Sequence, residues 1–128
     1  MRMRNEAKAF ERAYARGVKI AFGTDAGTFN HAENAKEFDY MVEFGMTPMD
    51  AIKAATVMTA DLFGLKDVGT LAPGQIADLI AVEGDPLSDV KVLHVVDFVM
   101  KSGVVAKQDG KMLDGFNYPA FGSDRARR

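Results

Sequence analysis

The sequence has no cysteine and no tryptophan, only two histidines in 128 residues, and no excess of either charge: 16 Lys+Arg stand against 18 Asp+Glu, a formal net charge of −2. Each scarcity excludes something. Without cysteine there are no disulfides, no thiolate metal ligands and no cysteine nucleophile; the composition fits a reducing cytoplasm, and cytoplasmic placement is the expectation. Without a basic excess, nucleic acid and acidic membranes are not expected partners. The one dense basic stretch, Arg125, Arg127 and Arg128, reads as a solvated tail.

No apolar run approaches the roughly 20 residues that span a bilayer. The opening Met1-Arg2-Met3-Arg4-Asn5-Glu6 has no apolar core of a signal peptide, so a soluble chain is expected. There is no P-loop and no G-x-G-x-x-G phosphate cradle. Ser88, Ser102 and Ser123 fall in turns or the tail, outside any G-x-S-x-G elbow. A complete (β/α)8 barrel needs about 250 residues, which 128 residues cannot supply; the length suits one ordinary domain.

What is present reads as helix and strand in alternation, then strands. Residues 5–16 put Ala7, Phe10, Ala13 and Tyr14 on one helical face and Glu6, Lys8, Glu11, Arg12 and Arg16 on the other, with Gly17 at the C′ position. Residues 18–24 read as a short strand ending at Asp25 between Gly23 and Gly27. A polar loop, Thr28-Phe29-Asn30-His31, leads to a helix over 33–44 with Ala35, Phe38, Met41, Val42 and Phe44 inward and Gly45 as its stop. Thr47-Pro48-Met49-Asp50 is a helix start, with Thr47 as N-cap, Pro48 at N1 and Asp50 in the positive first turn. The helix that follows runs through Ile52, Ala55 and Val57, and Thr59 reads as the cap of a short further turn ending at Phe63-Gly64.

After Gly69 the texture becomes strand and turn. Residues 69–74 are turn-rich, 77–82 form a strand, Gly84-Asp85-Pro86 turns, and 95–101 pair with 104–107 across Ser102-Gly103. A boundary is expected near 65–69, and residues 117–128 read as a loosely held tail. The methionines at 41, 46, 49 and 58 read as core filler.

The best local candidate for chemistry is Asp25, a carboxylate at the C-terminal end of a strand flanked by helices, where parallel α/β architectures gather catalytic groups. It could ligate a divalent metal or take a proton from water; equally, it could cap its loop by accepting backbone N–H bonds. His31, six residues on, suits a substrate contact, support of another group, or an ordinary solvated position. His94 reads as packed in or beside a sheet and is not counted as a ligand. Glu33 and Glu37, one helical turn apart, read as a charged helix face.

Two segments in order resemble the metal-dependent amidohydrolases, in particular the imidazolonepropionase-like and Xaa-Pro dipeptidase (prolidase)-like branch. Residues 17–27, Gly-Val-Lys-Ile-Ala-Phe-Gly-Thr-Asp-Ala-Gly, are similar to the eighth barrel strand with its metal-binding Asp. Residues 69–82, Gly-Thr-Leu-Ala-Pro-Gly-Gln-Ile-Ala-Asp-Leu-Ile-Ala-Val, followed by Gly84 to Asp89 and Val99 to Gly103, resemble the strands that finish the family's small β-sandwich. The resemblance implies an α/β fold: the C-terminal fragment of a (β/α)8 TIM barrel (residues 1–66), part of the composite β-sandwich domain (67–108) and a C-terminal tail (109–128).

It also implies one or two divalent metals, usually zinc, that activate water for attack on a carbon–nitrogen bond of a small-molecule amide or dipeptide. Asp25 would be metal ligand and general base, His31 would lie near the substrate, and Asp78, inside the most recognisable motif, would be structural. The family's His-x-His, its bridging Lys and its further His ligands are absent from this sequence. Zinc typically takes four ligands, so the chain alone is expected neither to hold a complete metal site nor to hydrolyse anything. Its expected partners are the missing N-terminal barrel portion or a second copy of itself. The alternative is a non-catalytic interaction or stability module derived from the same fold.

Overall fold

A computed structural model describes residues 2–27 and 29–115; the expected tail over 117–128 lies outside them, as does Ser123. The described chain is a mixed helix and strand structure, helical up to Leu62 and stranded from Leu79. Helix α1 spans Arg2–Ala15, a 3-10 turn spans His31–Glu33, and α2 spans Lys36–Glu43. Helix α3, Pro48–Lys53, passes through a π turn, Ala54–Met58, into α4, Thr59–Leu62, without leaving helical backbone angles.

Three helix ends use the same local chemistry. Gly17, Gly45 and Gly64 all take positive φ, at 72°, 95° and 67°. The N–H of the glycine and that of the residue after it reach back into the last turn: Gly17 to Tyr14 and Val18 to Ala13, Gly45 to Val42 and Met46 to Met41, Gly64 to Asp61 and Leu65 to Ala60. This pattern satisfies carbonyls that a helix end leaves orphaned, and glycine adopts the required left-handed conformation without a Cβ clash. At α2 it also folds Met46 back onto Met41, both buried.

The start of α3 is as the sequence implies. Thr47 Oγ1 accepts the Asp50 N–H at 3.2 Å and donates to Asp50 Oδ2 at 2.9 Å. The Tyr14 hydroxyl donates to the same carboxylate oxygen at 2.7 Å, tying α1 to α3. These bonds, Tyr14 first and Thr47 second, hold the Asp50 carboxyl below its usual pKa.

The helical core is Met41, Met46, Ala51 and Ala54, with Phe10, Tyr14, Ile20, Phe22, Phe38 and Val42 packed against it. Two of the four buried residues are alanines, which let neighbouring backbone come close. Met49, expected in the core, is exposed at 43% because it lies in the first turn of α3 on the solvent side.

The expected strand over 18–24 does not form as paired strand. A ladder needs a partner, and among the described residues there is no strand before Leu79. The segment instead lies along the helices, with Ile20 and Phe22 supplying its apolar contact. The expected helix 33–44 is also shorter: the 3-10 turn occupies its beginning and α2 starts at Lys36.

The strands are β1 (Leu79–Ala81), β2 (Phe98–Lys101), β3 (Val104–Gln108) and β4 (Lys111–Met112). They form one antiparallel sheet in chain order. Lys101 pairs with Val104 and Gln108 with Lys111, so both hairpins close over two residues. Ser102, Gly103, Asp109 and Gly110 all have positive φ, the conformation of a type I′ turn that matches strand twist. A bulge between Val99 and Met100 lets β3 place Ala106 inside, 4% exposed. A second 3-10 helix, Val90–His94, bridges β1 and β2 and packs against α2.

Candidate functional site

Asp25 ends the extended segment, exposed, at φ +48°. Few non-glycine residues tolerate this left-handed region; aspartate does, because its short polar side chain can serve nearby backbone. The segment that carries it is strapped to the helices at three points. Lys19 Nζ pairs with Asp61 Oδ2 at 3.0 Å, Phe22 N–H donates to the Ala54 carbonyl at 3.1 Å, and Thr24 Oγ1 donates to Asn34 Oδ1 at 3.2 Å. The Phe22 ring also meets that of Phe38, centroids 4.7 Å apart.

His31 opens the 3-10 turn after the loop and is exposed. Asn30 caps that turn, its Oδ1 accepting the Ala32 N–H at 3.0 Å. Glu33 pairs with Lys36 at 3.1 Å, one turn on, in keeping with a charged helix face. Among the described residues, no three His, Cys, Asp or Glu side chains come together in a way that could hold a metal ion. Asp25 and His31 are thus one carboxylate and one imidazole without the further ligands that zinc typically takes. The described residues of this chain do not by themselves fit a divalent metal.

A depression of about 190 Å³ lies beside the segment, lined by Thr24, Phe29, Glu33, Asn34, Lys36, Glu37 and Tyr40. Glu37, in the first turn of α2, is half-buried there, and burial pushes its pKa up by penalising the charged form. Reading it with Glu33 as a solvated face missed this, because side-chain burial depends on which segment packs across the helix. A larger cleft, about 530 Å³, runs between α2 and the second 3-10 helix and includes Lys36, Asp39, Pro48 and Val90. Asp25 lines neither cleft.

His94 does not sit in the sheet. It closes the second 3-10 helix, and its Nε2 lies 2.9 Å from Asp39 Oδ1 of α2, joining two parts of the chain 55 residues apart. Asp78 is structural in its contacts: it accepts from Lys101 Nζ, and its Oδ1 accepts the Ser102 N–H at 2.6 Å, so it holds the turn of the β2–β3 hairpin. The Gly84-Asp85-Pro86 turn is pinned likewise, with Asp85 accepting from Leu87 N–H and the Ser88 hydroxyl at 2.9 and 2.8 Å. Among the described residues no helix is long and apolar enough to cross a membrane.

Comparison with known proteins supplies the context for this geometry. Residues 1–106 match the profile of the amidohydrolase family. The chain is 41% identical over 109 residues to ochratoxinase of Aspergillus niger, covering 80% of this chain and 22% of that protein. It is 31% identical over 106 residues to adenine deaminase of Kosmotoga olearia, covering 80% of this chain and 17% of that one. Among solved structures it superposes on a Xaa-Pro dipeptidase crystallised with methionine in its active site, with TM-score 0.77 and 51% identity over 79% of this chain and 25% of that chain. The chain therefore spans about a quarter or less of the proteins it matches.

Proposed function

Because the chain belongs to the amidohydrolase family, we propose that it is the C-terminal part of a metal-dependent hydrolase of carbon–nitrogen bonds, with Asp25 as the carboxylate it contributes to the reaction. The observation that carries the reading is Asp25 itself: a left-handed residue at the end of an extended segment held on helices, inside the family match. Residues 18–24 are then the last strand of a (β/α)8 barrel, and the strands it would pair with lie outside this sequence. That assignment accounts for an extended, apolar segment whose backbone has no ladder partner among the described residues.

In this reading Asp25 is one metal ligand and the remaining ligands come from outside the sequence. The carboxylate also serves as general base, taking a proton from the attacking water and returning it to the leaving nitrogen. His31, at the start of the 3-10 turn just beyond, faces the substrate, a small-molecule amide or dipeptide. A divalent metal held by Asp25 together with ligands from the rest of such an enzyme would supply polarisation of that water.

The test uses a chimera in which this chain replaces the matching quarter of the Xaa-Pro dipeptidase with 51% identity. The chimera should hydrolyse Xaa-Pro dipeptides, and Asp25→Asn should lower kcat about 10²–10⁴-fold, the range of a lost general base, with unchanged circular dichroism. Full activity in the Asp25→Asn chimera would sink the assignment. A folded chimera that is inactive with Asp25 intact would favour the non-catalytic module instead. The 128-residue chain alone should bind no stoichiometric zinc and hydrolyse no dipeptide.

A further inference from the structure

The π turn, Ala54–Met58, lies in the middle of an otherwise α-helical run. Such turns are rare inside α-helices and occur frequently at functional sites. At the first residue of this turn is the Ala54 carbonyl, in a residue only 1% exposed. It accepts two donors: the Thr59 hydroxyl at 2.7 Å, five residues ahead, and the Phe22 N–H at 3.1 Å. Among the described residues, that second bond is the one backbone hydrogen bond made by the stretch 19–26.

We infer that Thr59 is a positioning residue for Asp25, holding the π turn open so that the Ala54 carbonyl can fix Phe22, three residues upstream, at a set depth against the helix. The physical logic is that a threonine hydroxyl bonding back to a carbonyl of the preceding turn widens or bends a helix. A carbonyl oxygen can take more than one donor, and the Ala54 oxygen meets those of Thr59 and Phe22 together. In a regular α-helix this carbonyl would lie along the axis; the Thr59 hydroxyl, reaching it from five residues ahead, would tilt it out toward Phe22. Ala54 has no side chain beyond Cβ to stand in the way of the approaching segment. Two residues past Phe22, Thr24 makes its own bond to Asn34, so the backbone is held on both sides of Gly23, and Asp25 follows directly.

The inference rests on the reading of Asp25 as the reacting carboxylate, but its readouts do not. In the wild-type chain, a through-hydrogen-bond scalar coupling between Phe22 N and the Ala54 carbonyl carbon should be observable, and the Thr59 hydroxyl proton should exchange slowly enough to be seen. Absence of either overturns the proposal. Thr59→Val keeps the shape and removes the donor; it should raise amide exchange at Phe22 about five- to tenfold, the scale of one net hydrogen bond, and Thr59→Ser should restore it. The Met100 amide in β2 should exchange as in wild type in both variants. Unchanged exchange at Phe22 in a folded Thr59→Val chain overturns the proposal; if that variant does not fold, the two wild-type measurements decide.

In the chimera, Thr59→Val should lower kcat about five- to tenfold with KM nearly unchanged, and Thr59→Ser should recover it. An unchanged kcat in Thr59→Val would remove the functional part of the proposal. Should Asp25→Asn leave the chimera active while the Phe22 readouts hold, the reading of Asp25 fails and the strap on its segment stands.

Discussion

Replacing Gly69 by alanine isolates the contact between the loop after α4 and the π turn. Gly69 has φ +89°, and a Cβ built there would lie 3.2 Å from the Ala60 Cβ and 3.2 Å from both the carbonyl carbon and oxygen of Thr56. Two of those three atoms are helix backbone, which cannot swing aside. Gly74 provides the control, at φ +88° with nothing within 4 Å of its would-be Cβ. Both variants incur the cost of a left-handed alanine, about 1–2 kcal/mol. Only Gly69→Ala adds overpacking against a rigid neighbour, about 1–3 kcal/mol. Urea unfolding followed by far-ultraviolet circular dichroism measures the difference: with a slope of about 1.5 kcal/mol per molar, Gly69→Ala should unfold roughly 1 M lower than Gly74→Ala. Midpoints within about 0.2 M of each other would show that the loop does not press on the π turn, and the reasoning would fall.

Two more outcomes follow from the same geometry. Burial raises the Glu37 pKa above its ordinary 4.5, so the native state favours the protonated form. That favourable share is complete below the unfolded pKa and is lost as pH rises through the folded one. Glu37→Gln should therefore be more stable than wild type near neutrality, with the advantage vanishing as pH falls below about 4.5, as thermal melts across pH would show. Asp78→Ala leaves the Ser102 N–H and the Lys101 ammonium without their carboxylate; it should cost about 1–3 kcal/mol in urea unfolding and raise exchange at Ser102 far more than at Phe22.

The parts of the structure set by short stretches of chain are legible in the sequence. Gly17, Gly45 and Gly64 mark their helix ends, Thr47 with Pro48 marks a helix start, and Ser102-Gly103 marks a hairpin, because each feature depends on residues within one turn. The Asp25 segment was only half legible. Alternation over 18–24 does indicate extended backbone with an apolar side, and Ile20 and Phe22 do pack inward, but a strand also needs a ladder partner, and among the described residues none lies beside this segment.

Thr59 misled for a related reason. A threonine that bonds to a backbone carbonyl five residues back looks in sequence like a threonine that caps, and only the neighbouring Phe22 distinguishes them. The His94 and Asp39 contact, across 55 positions, had no local signal at all. For the candidate site, the position of Asp25 at the end of its segment was readable, whereas the strap that holds it was not.

The sheet runs in chain order, and that ordering has a kinetic meaning. Strands β2, β3 and β4 are joined by two-residue turns already suited to strand twist, so they should zip on the microsecond scale of isolated hairpins, about 1–10 μs. Strand β1 must instead close the 16 residues between Ala81 and Phe98, a stretch that contains the 3-10 helix resting on α2. Completing the sheet and seating that helix are then one event, and the slow step of folding is the one that joins the early hairpins to the helical half of the chain.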